Sequence, residues 1–520
     1  MLHIKSIILS ILLCSSILVF SQKASVVRME VPSALESGTF QVETLGTDGI
    51  MIFYESNEIS SEYQRKWYFG LFDTKLNQVW LKFIPLNDGI QFLISTRRDH
   101  MLHLLFRSLE SGKPDNDSYA IVSYNIKTQA FSNISGTIPQ NAEIVGFEVI
   151  DDKACIGLNL KKNNTDILFV NLNNGEIEVE TIEPDNESFL ETIAVDPLNK
   201  HFYIQVKYVK DKRYLEDKII RYSRSGKKET SYSISNQEGL KLLRNFIFMP
   251  VKDNKLTILG TFDMITGKMV SLKDLKDDTE AKSVGMFFLQ YEDDVQKTLK
   301  YYDFLNFDNI YGSMEGREMS YSKNKGQNEE DEKPEKSLSA FFHFQSPSVI
   351  KKNDQYIFTV EIYKPYYRSE TQMDYDFYGR PMPRSYDIFD GYQFYDLIIA
   401  SISEKGDLIW NNDFEISNMR TFFLEKHVAI FQDEDFLSMA YVNDGKLFSQ
   451  TIDGPVDLNK EEIAIETQFS KDRVTEDENN SIVHWFDHYF LIYGYQKLKN
   501  RSLGDQAIRT VFYANKVAYN

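Results

Sequence analysis

The chain has 520 residues, 42% hydrophobic and 14% aromatic, with a formal net charge of −19. That much apolar material can build a large core, which excludes a wholly disordered chain. The acidic surplus repels phosphate backbones and no basic stripe offsets it, so nucleic acid is excluded as an expected partner.

Lys5 precedes a mostly apolar run from Ile7 to Phe20, and Ser21 and Gln22 follow. This is the layout of a secretory signal peptide. The run has 14 residues, short of the roughly 20 that a membrane-spanning helix needs. Residues 1–22 are therefore expected to be removed on export, leaving a periplasmic or secreted chain that starts near Gln22 or Lys23. Cys14 follows Ile11, Leu12 and Leu13 with no small residue beside it, which argues against a lipid anchor. No later apolar stretch approaches spanning length, so no membrane span is expected in the mature chain. Cys155 then stands alone, so no internal disulfide is expected and the core must hold the fold. Its setting, Ala154-Cys155-Ile156-Gly157-Leu158, predicts a buried small hydrophobe.

Beyond the leader, short runs rich in Ile, Val, Phe and Tyr alternate with polar residues at period 2, as in Gly49 to Tyr54, Ile167 to Leu172, Phe202 to Val209 and Leu397 to Ile402. They recur as tandem hairpins. One unit runs Ile144 to Ile150, turns at Asp151-Asp152-Lys153, and returns as Ala154 to Leu160; a second hairpin pairs Asp166 to Asn171 with Ile177 to Ile182. The first turn recurs near Asp48, Asp99, Asp152, Asn199, Asp253, Asp354, Asp433 and Asp487, and the second near Asn77, Thr128, Gly175, Gly226, Asp294, Gly406 and Gly454. Four strands at a period of roughly 40–50 residues mark a propeller blade. The expected fold is all-β: a single β-propeller domain over 23–520 with about eight four-stranded blades, or seven if two weak units merge. The last unit is a strand short, and Ser25 to Val31 has the alternation to supply it, closing the ring by pairing the chain's two ends.

Three inserts lengthen the repeat. Residues 266–282 are polar. Residues 312–336 are polar and low in complexity, which predicts disorder and dispensability. The third, Tyr363 to Tyr395, carries eight tyrosines interleaved with Asp374, Asp376, Asp387, Asp390, Arg368, Arg380 and Arg384, and is stiffened by Pro365, Pro381 and Pro383. Tyrosine with arginine and aspartate suits a recognition surface, and the mid-insert residues Tyr366, Tyr367, Tyr375, Tyr378, Arg380 and Arg384 are the candidate site. The plainer alternative is a long loop that packs its tyrosines back onto the blades.

The stretch from Ala400 to Trp410, with Ala400, Gly406 and Trp410 in place, resembles the quinoprotein-type propeller repeat. Ile402 replaces that family's aspartate and Lys405 its threonine. Gly70 and Trp80 echo the spacing with Leu76 at the glycine position, while Val179 and Thr230 replace the tryptophan after Gly175 and Gly226. The resemblance implies blade architecture and not quinone binding. As a whole the chain is similar to the uncharacterised exported β-propeller proteins of Gram-negative bacteria, which supply no catalytic residues to carry over.

Catalytic signatures are missing: no Gly-x-Ser-x-Gly elbow, no phosphate loop, no Cys-x-x-Cys, no Asp-box and no His-Glu-x-x-His. His484 and His488 lie four apart, but in a hairpin context where helical ligand spacing does not apply; His100 and His103 flank a turn. No cofactor, metal or catalytic residue is expected. The leading expectation is a non-enzymatic binding module of the cell envelope, its partner an envelope protein or glycan. The alternatives are a hydrolase acting on glycans or peptides at the central channel, and a structural subunit of an envelope complex.

Overall fold

The structure, a computed structural model, describes residues 27–33, 40–61, 63–108, 116–161, 163–210, 214–235, 241–264, 284–307, 342–375, 378–433 and 435–518. The expected signal peptide, residues 1–22, and the inserts 266–282 and 312–336 lie outside the described residues.

The chain folds as an eight-bladed β-propeller, each blade a four-stranded antiparallel sheet. β1 (Val27–Pro32) opens the chain. Blade 1 is β2 (Gln41–Thr44), β3 (Ile50–Ser61), β4 (Gln64–Phe72) and β5 (Gln78–Asn87). Blade 2 is β6 (Ile90–Arg98), β7 (Met101–Ser108), β8 (Asn116–Asn125) and β9 (Ala130–Pro139). Blade 3 is β10 (Glu143–Ile150), β11 (Lys153–Asn159), β12 (Thr165–Asn171) and β13 (Ile177–Ile182). Blade 4 is β14 (Ser188–Asp196), β15 (His201–Lys210), β16 (Tyr214–Ser223) and β17 (Lys228–Ser233). Blade 5 is β18 (Lys241–Phe248), β19 (Lys255–Met264), β20 (Gly285–Glu292) and β21 (Val295–Asp303). Blade 6 is β22 (His343–Lys352), β23 (Gln355–Tyr375), β24 (Pro381–Ser403) and β25 (Leu408–Thr421). Blade 7 is β26 (Ala429–Gln432), β27 (Leu437–Asn443), β28 (Lys446–Asp453) and β29 (Val456–Ala464). Blade 8 is β30 (Arg473–Phe486), β31 (Tyr489–Lys499) and β32 (Ile508–Ala518), completed by β1.

Period-2 alternation sends successive side chains of one strand to two different neighbours. In β11, Ala154, Ile156 and Leu158 pack with Leu105, Tyr119 and Ile121 of blade 2, whereas Cys155 packs with Leu190, Phe202 and Ile204 of blade 4. Both faces of a blade are thus buried, and Cys155 is the fully buried small hydrophobe its setting predicts. The first strands of neighbouring blades touch one another, β6 with β10, β10 with β14, β14 with β18 and β26 with β30, which places them innermost.

Glycine at the second hairpin turn has two causes. Gly406 has φ +81, and a Cβ there would stand 2.4 Å from Phe288 Cδ1 of the preceding blade. Gly226 repeats this with φ +85 and Phe169 Cγ at 2.7 Å. Trp410 in turn lies against the corresponding glycine of the next blade, Gly454.

The ring closes through β1, which pairs with β32 from Val27↔Lys516 to Pro32↔Val511. Arg28 is paired with Glu30 at 2.7 Å, and its other nitrogens donate to Gln496 (2.9 Å) and Asn515 (3.2 Å). Arg509 binds Glu30 at 3.1 Å and Asp472 at 2.5 Å. The Arg28, Glu30 and Asp472 side chains in this network are all at most 5% exposed. Trp485 Nε1 of blade 8 donates to the Gly49 carbonyl of blade 1 at 3.0 Å.

Antiparallel strands put the connections at two ends. The turns between first and second strands, and between third and fourth, lie at one end. The turns between second and third strands, and the crossings to the next blade, lie at the other. The connections β19–β20, β21–β22 and β23–β24 all belong to this second end. The strand ends that flank all three length excesses therefore lie at the same end of the propeller.

Candidate functional site

Blade 6 carries the described elaboration. β23 and β24 pair from Gln355↔Ser403 out to Tyr375↔Pro381. β22 accompanies β23 only to Tyr363, and β25 accompanies β24 only to Tyr392. From Lys364 and Gly391 outward, the two strands form a free-standing ribbon. The tyrosine-rich segment is therefore a continuation of two blade strands and not a loop folded back on the blades. Its ends belong to the propeller: Tyr363 is fully buried, and Tyr392 and Tyr395 are half-buried.

The predicted surface residues divide into two groups. Tyr366 and Tyr367, 38% and 54% exposed, stand at the ribbon's base. Tyr378, 79% exposed, is at the tip with the Arg380 guanidinium over its ring at 5.9 Å. Arg384 is exposed and pairs with Asp374 at 3.3 Å across the ribbon. Tyr375 takes part through its backbone pairing with Pro381. At about 3.3 Å per residue the base and the tip are roughly 25–30 Å apart, so the structure does not bring the six residues together.

The base gathers residues that the sequence reading did not single out. Phe389 is opposite Tyr367, with ring centroids 5.7 Å apart, and continues to Phe422 at 6.2 Å and to Tyr392 at 5.0 Å. Tyr392 meets buried Tyr363 at 5.5 Å, so a ladder of rings runs from the core to the surface. Phe422 and Phe423 are 62% and 57% exposed. Arg420 lies 3.7 Å over the Tyr366 ring and pairs with Asp390 at 2.9 Å. One signal was available in sequence: the Phe422-Phe423 doublet in a crossing between blades, where polar residues are the rule.

The crossing from β25 to β26 is tied down from beneath. Glu361, fully buried in β23, accepts the backbone N–H groups of Val428 (2.8 Å) and His427 (3.0 Å). Burial pushes its carboxyl up to about 7, against the pull of those two donors. Burial holds the His427 imidazole down at about 4. Before the crossing, β25 bulges at Ile416–Asn418, between Asp396↔Glu415 and Phe394↔Met419. Blade 7 holds the bulge: the Tyr441 hydroxyl accepts from Ser417 N at 2.9 Å, and Asn443 Nδ2 donates to the Ser417 and Asn418 carbonyls at 3.1 Å.

Two concavities flank this base. One, of about 550 Å³, lies between Tyr366, Tyr367 and the bulge. The other, of about 570 Å³, is walled by Arg420, Phe422, Phe423 and Glu425, with Asp444 and Asp477 across it. These volumes lie within the usual range for ligand pockets.

The acids of the innermost strands are engaged by their neighbours. Glu43 accepts from Ser95 Oγ at 2.6 Å, Glu148 pairs with Arg98 at 2.9 Å, and Glu191 lies 3.3 Å from buried Lys207, which also reaches Asp217 at 2.5 Å. Two of the histidines singled out earlier, His103 and His484, have partners within the fold. His103 is buried with Nδ1 2.8 Å from Ser123 Oγ; His484 Nε2 donates to the Asp487 carbonyl at 2.8 Å and its ring stacks on Phe431. Among the described residues no three His, Cys, Asp or Glu side chains are grouped to hold a metal, and no helix is long and apolar enough to cross a membrane.

No protein-family model matches the chain, and no curated protein matches it in sequence. Among solved structures it is similar to the β-propeller domain of the Trilobed protease from Pyrococcus furiosus (9% identity, 83% of this chain and 99% of that one, TM-score 0.33). It is also similar to PpgL, the periplasmic gluconolactonase of Pseudomonas aeruginosa (8%, 82% and 99%, TM-score 0.37), and to the dihydro-haem d1 dehydrogenase NirN (10%, 84% and 78%, TM-score 0.34). At these identities the likeness is one of fold and carries nothing about chemistry.

Proposed function

We propose that this protein is an exported, non-enzymatic binding module of the cell envelope. In this reading it recognises an envelope protein or glycan with the base of the blade 6 ribbon and the adjoining crossing. The observation that carries the reading is the surface ladder of Tyr367, Phe389 and Phe422, beside a concavity of about 570 Å³ that exposed Phe423 also lines. Contiguous exposed aromatics in a monomeric protein mark a surface that a partner covers. The bulge, the Arg420–Asp390 pair and the buried Glu361 hold this surface in place before any partner arrives, which lowers the ordering cost of binding.

The test replaces Tyr366, Tyr367 and Tyr378 with serine and compares capture of partners from envelope extract with a denaturant melt. Capture should fall while stability holds, because exposed substitutions change stability by less than about 0.5 kcal/mol each. Undiminished capture would remove the ribbon from the account.

A further inference from the structure

The blade 6 ribbon stands free over nine cross-strand pairs, from Tyr367↔Phe389 to Tyr375↔Pro381. A two-stranded sheet by itself is marginal in water, and further strands are what give a sheet independent stability. The ribbon's two outer edges differ. β24 carries Pro381 and Pro383, and proline on an edge guards it against pairing because its N–H is missing. β23 has no proline from Tyr366 to Tyr375. Among the described residues no strand pairs with the outer side of β23 beyond Tyr363. Exposed Ser369 lies midway along this open edge.

The open edge is complementary in charge to itself. Residues directly opposite in an antiparallel pair share a face, so a two-fold axis between two copies passes through a residue that meets its own twin. With Ser369 on the axis, Arg368 of each copy opposes Glu370 of the other, Lys364 opposes Asp374, Tyr366 opposes Gln372 and Tyr367 opposes Thr371. Each of the two charged pairings occurs twice, and no like charges meet. Opposite charges across a strand pair stabilise it, and like charges destabilise it. Moving the axis by one residue sets Arg368 against Arg368 or Glu370 against Glu370. Moving it by two leaves one charged pairing in place of two and shortens the overlap. Within one chain Arg368 and Glu370 already lie 3.0 Å apart, so both heads are on the same face of the ribbon. The ladder runs from Lys364 to Asp374 and stops where β22 takes over the edge at Tyr363.

We propose that two copies of this chain pair antiparallel along the β23 edge of the ribbon, with Ser369 on the two-fold axis, and so build one four-stranded sheet between them. The inference goes beyond the binding reading and does not rest on it. The pairing uses the ribbon's edge, whereas Tyr367, Phe389 and Phe422 meet one another on its face.

Sedimentation velocity on the chain from residue 23 onward, from low to high micromolar, should show a monomer giving way to a dimer. R368E or E370R alone should weaken the dimer about tenfold or more, since each turns two attractive pairs into two repulsive ones. The swap R368E/E370R sets opposite charges face to face again and should restore the dimer. These side chains are 56% and 40% exposed, so the fold should hold in every variant, as a melt of each checks. Under mild oxidation Ser369→Cys should cross-link two copies, because its twin stands directly opposite, within disulfide reach. The native thiol does not compete: Cys155 is fully buried, and burial pushes its pKa up. Thr371→Cys should stay uncross-linked, since its twin lies four residues, about 13 Å, along the ladder. A chain that stays monomeric throughout overturns the inference. So does a dimer that the single reversals leave intact or that the swap fails to restore, and so does equal cross-linking at 369 and 371. A dimer that still forms in the chain lacking residues 368–388 would assign association to another surface and overturn it as well.

Discussion

Glu361 shows how a single side chain shapes the surface at a distance. It reaches no solvent, and it holds the crossing that displays Phe422 and Phe423 through the N–H groups of His427 and Val428. Its carboxyl is raised from 4.5 to about 7, chiefly by burial. The folded state therefore binds a proton that the unfolded state has released, and stability from this group is full below pH 4.5 and is lost as pH rises through about 7. The gap corresponds to roughly 3 kcal/mol. Glu361→Gln keeps an acceptor for both N–H groups and removes the titration. Melts of the variant between pH 4.5 and 8 should show a flatter pH dependence than the parent chain, and an unchanged slope would mean the group does not titrate there. Tyrosines of the same segment divide by burial. Tyr363→Ala should cost roughly 3–5 kcal/mol because it empties a filled core site, whereas Tyr378→Ser should cost less than about 0.5 kcal/mol. Composition could not make that division. Tyr363 and Tyr378 belong to one tyrosine-rich run, and only strand pairing shows where the blade ends and the ribbon begins.

At the scale of elements, the blade 6 ribbon is two strands that outrun their neighbours. Between Lys364 and Gly391 the backbone ladder joins the two described strands to each other, and the ribbon meets the propeller through Tyr366, Phe389 and Asp390. Replacing residues 368–388 by a two-residue Asn-Gly turn should leave the propeller folded, with a melting temperature within a few degrees of the parent; a large drop would show the ribbon to be part of the core. The sequence carried the hairpin turns well, because polar turn residues punctuate the apolar strand runs. All eight first turns and seven second turns fall where Asp, Asn, Gly and, at Thr128, threonine placed them. It carried the ribbon poorly. Its strands do not alternate apolar with polar, since neither face of a free ribbon is buried, so the periodicity that reveals strands was missing. The aromatic base was missed for a different reason: Phe389, Phe422 and Phe423 come together only through the β24–β25 register and its bulge, which are tertiary facts.

At the scale of the whole molecule, closure joins residues nearly five hundred positions apart. Arg28, Glu30, Arg509 and Asp472 form a mostly buried network that links β1 to blade 8. Removing one partner of a buried pair strands the other, so Arg509→Ala should cost roughly 3–5 kcal/mol, read in a denaturant melt. A loss below about 1 kcal/mol would mean that the β1–β32 ladder closes the ring without the network. The closure was legible because both ends carried strand alternation and the last unit lacked a strand. The asymmetry between the two ends of the propeller was legible only in part, as three unusually long spacings whose common direction needed the strand order. That asymmetry underlies the functional account, in which the elaborated end is the binding face and the ribbon base its centre. The most direct measurement is partner capture from envelope extract by the chain lacking residues 368–388 and carrying F422S/F423S, beside a melt of the same protein. The account predicts a folded protein that captures nothing the parent captures specifically. A folded variant that retains the parent's partners would contradict it.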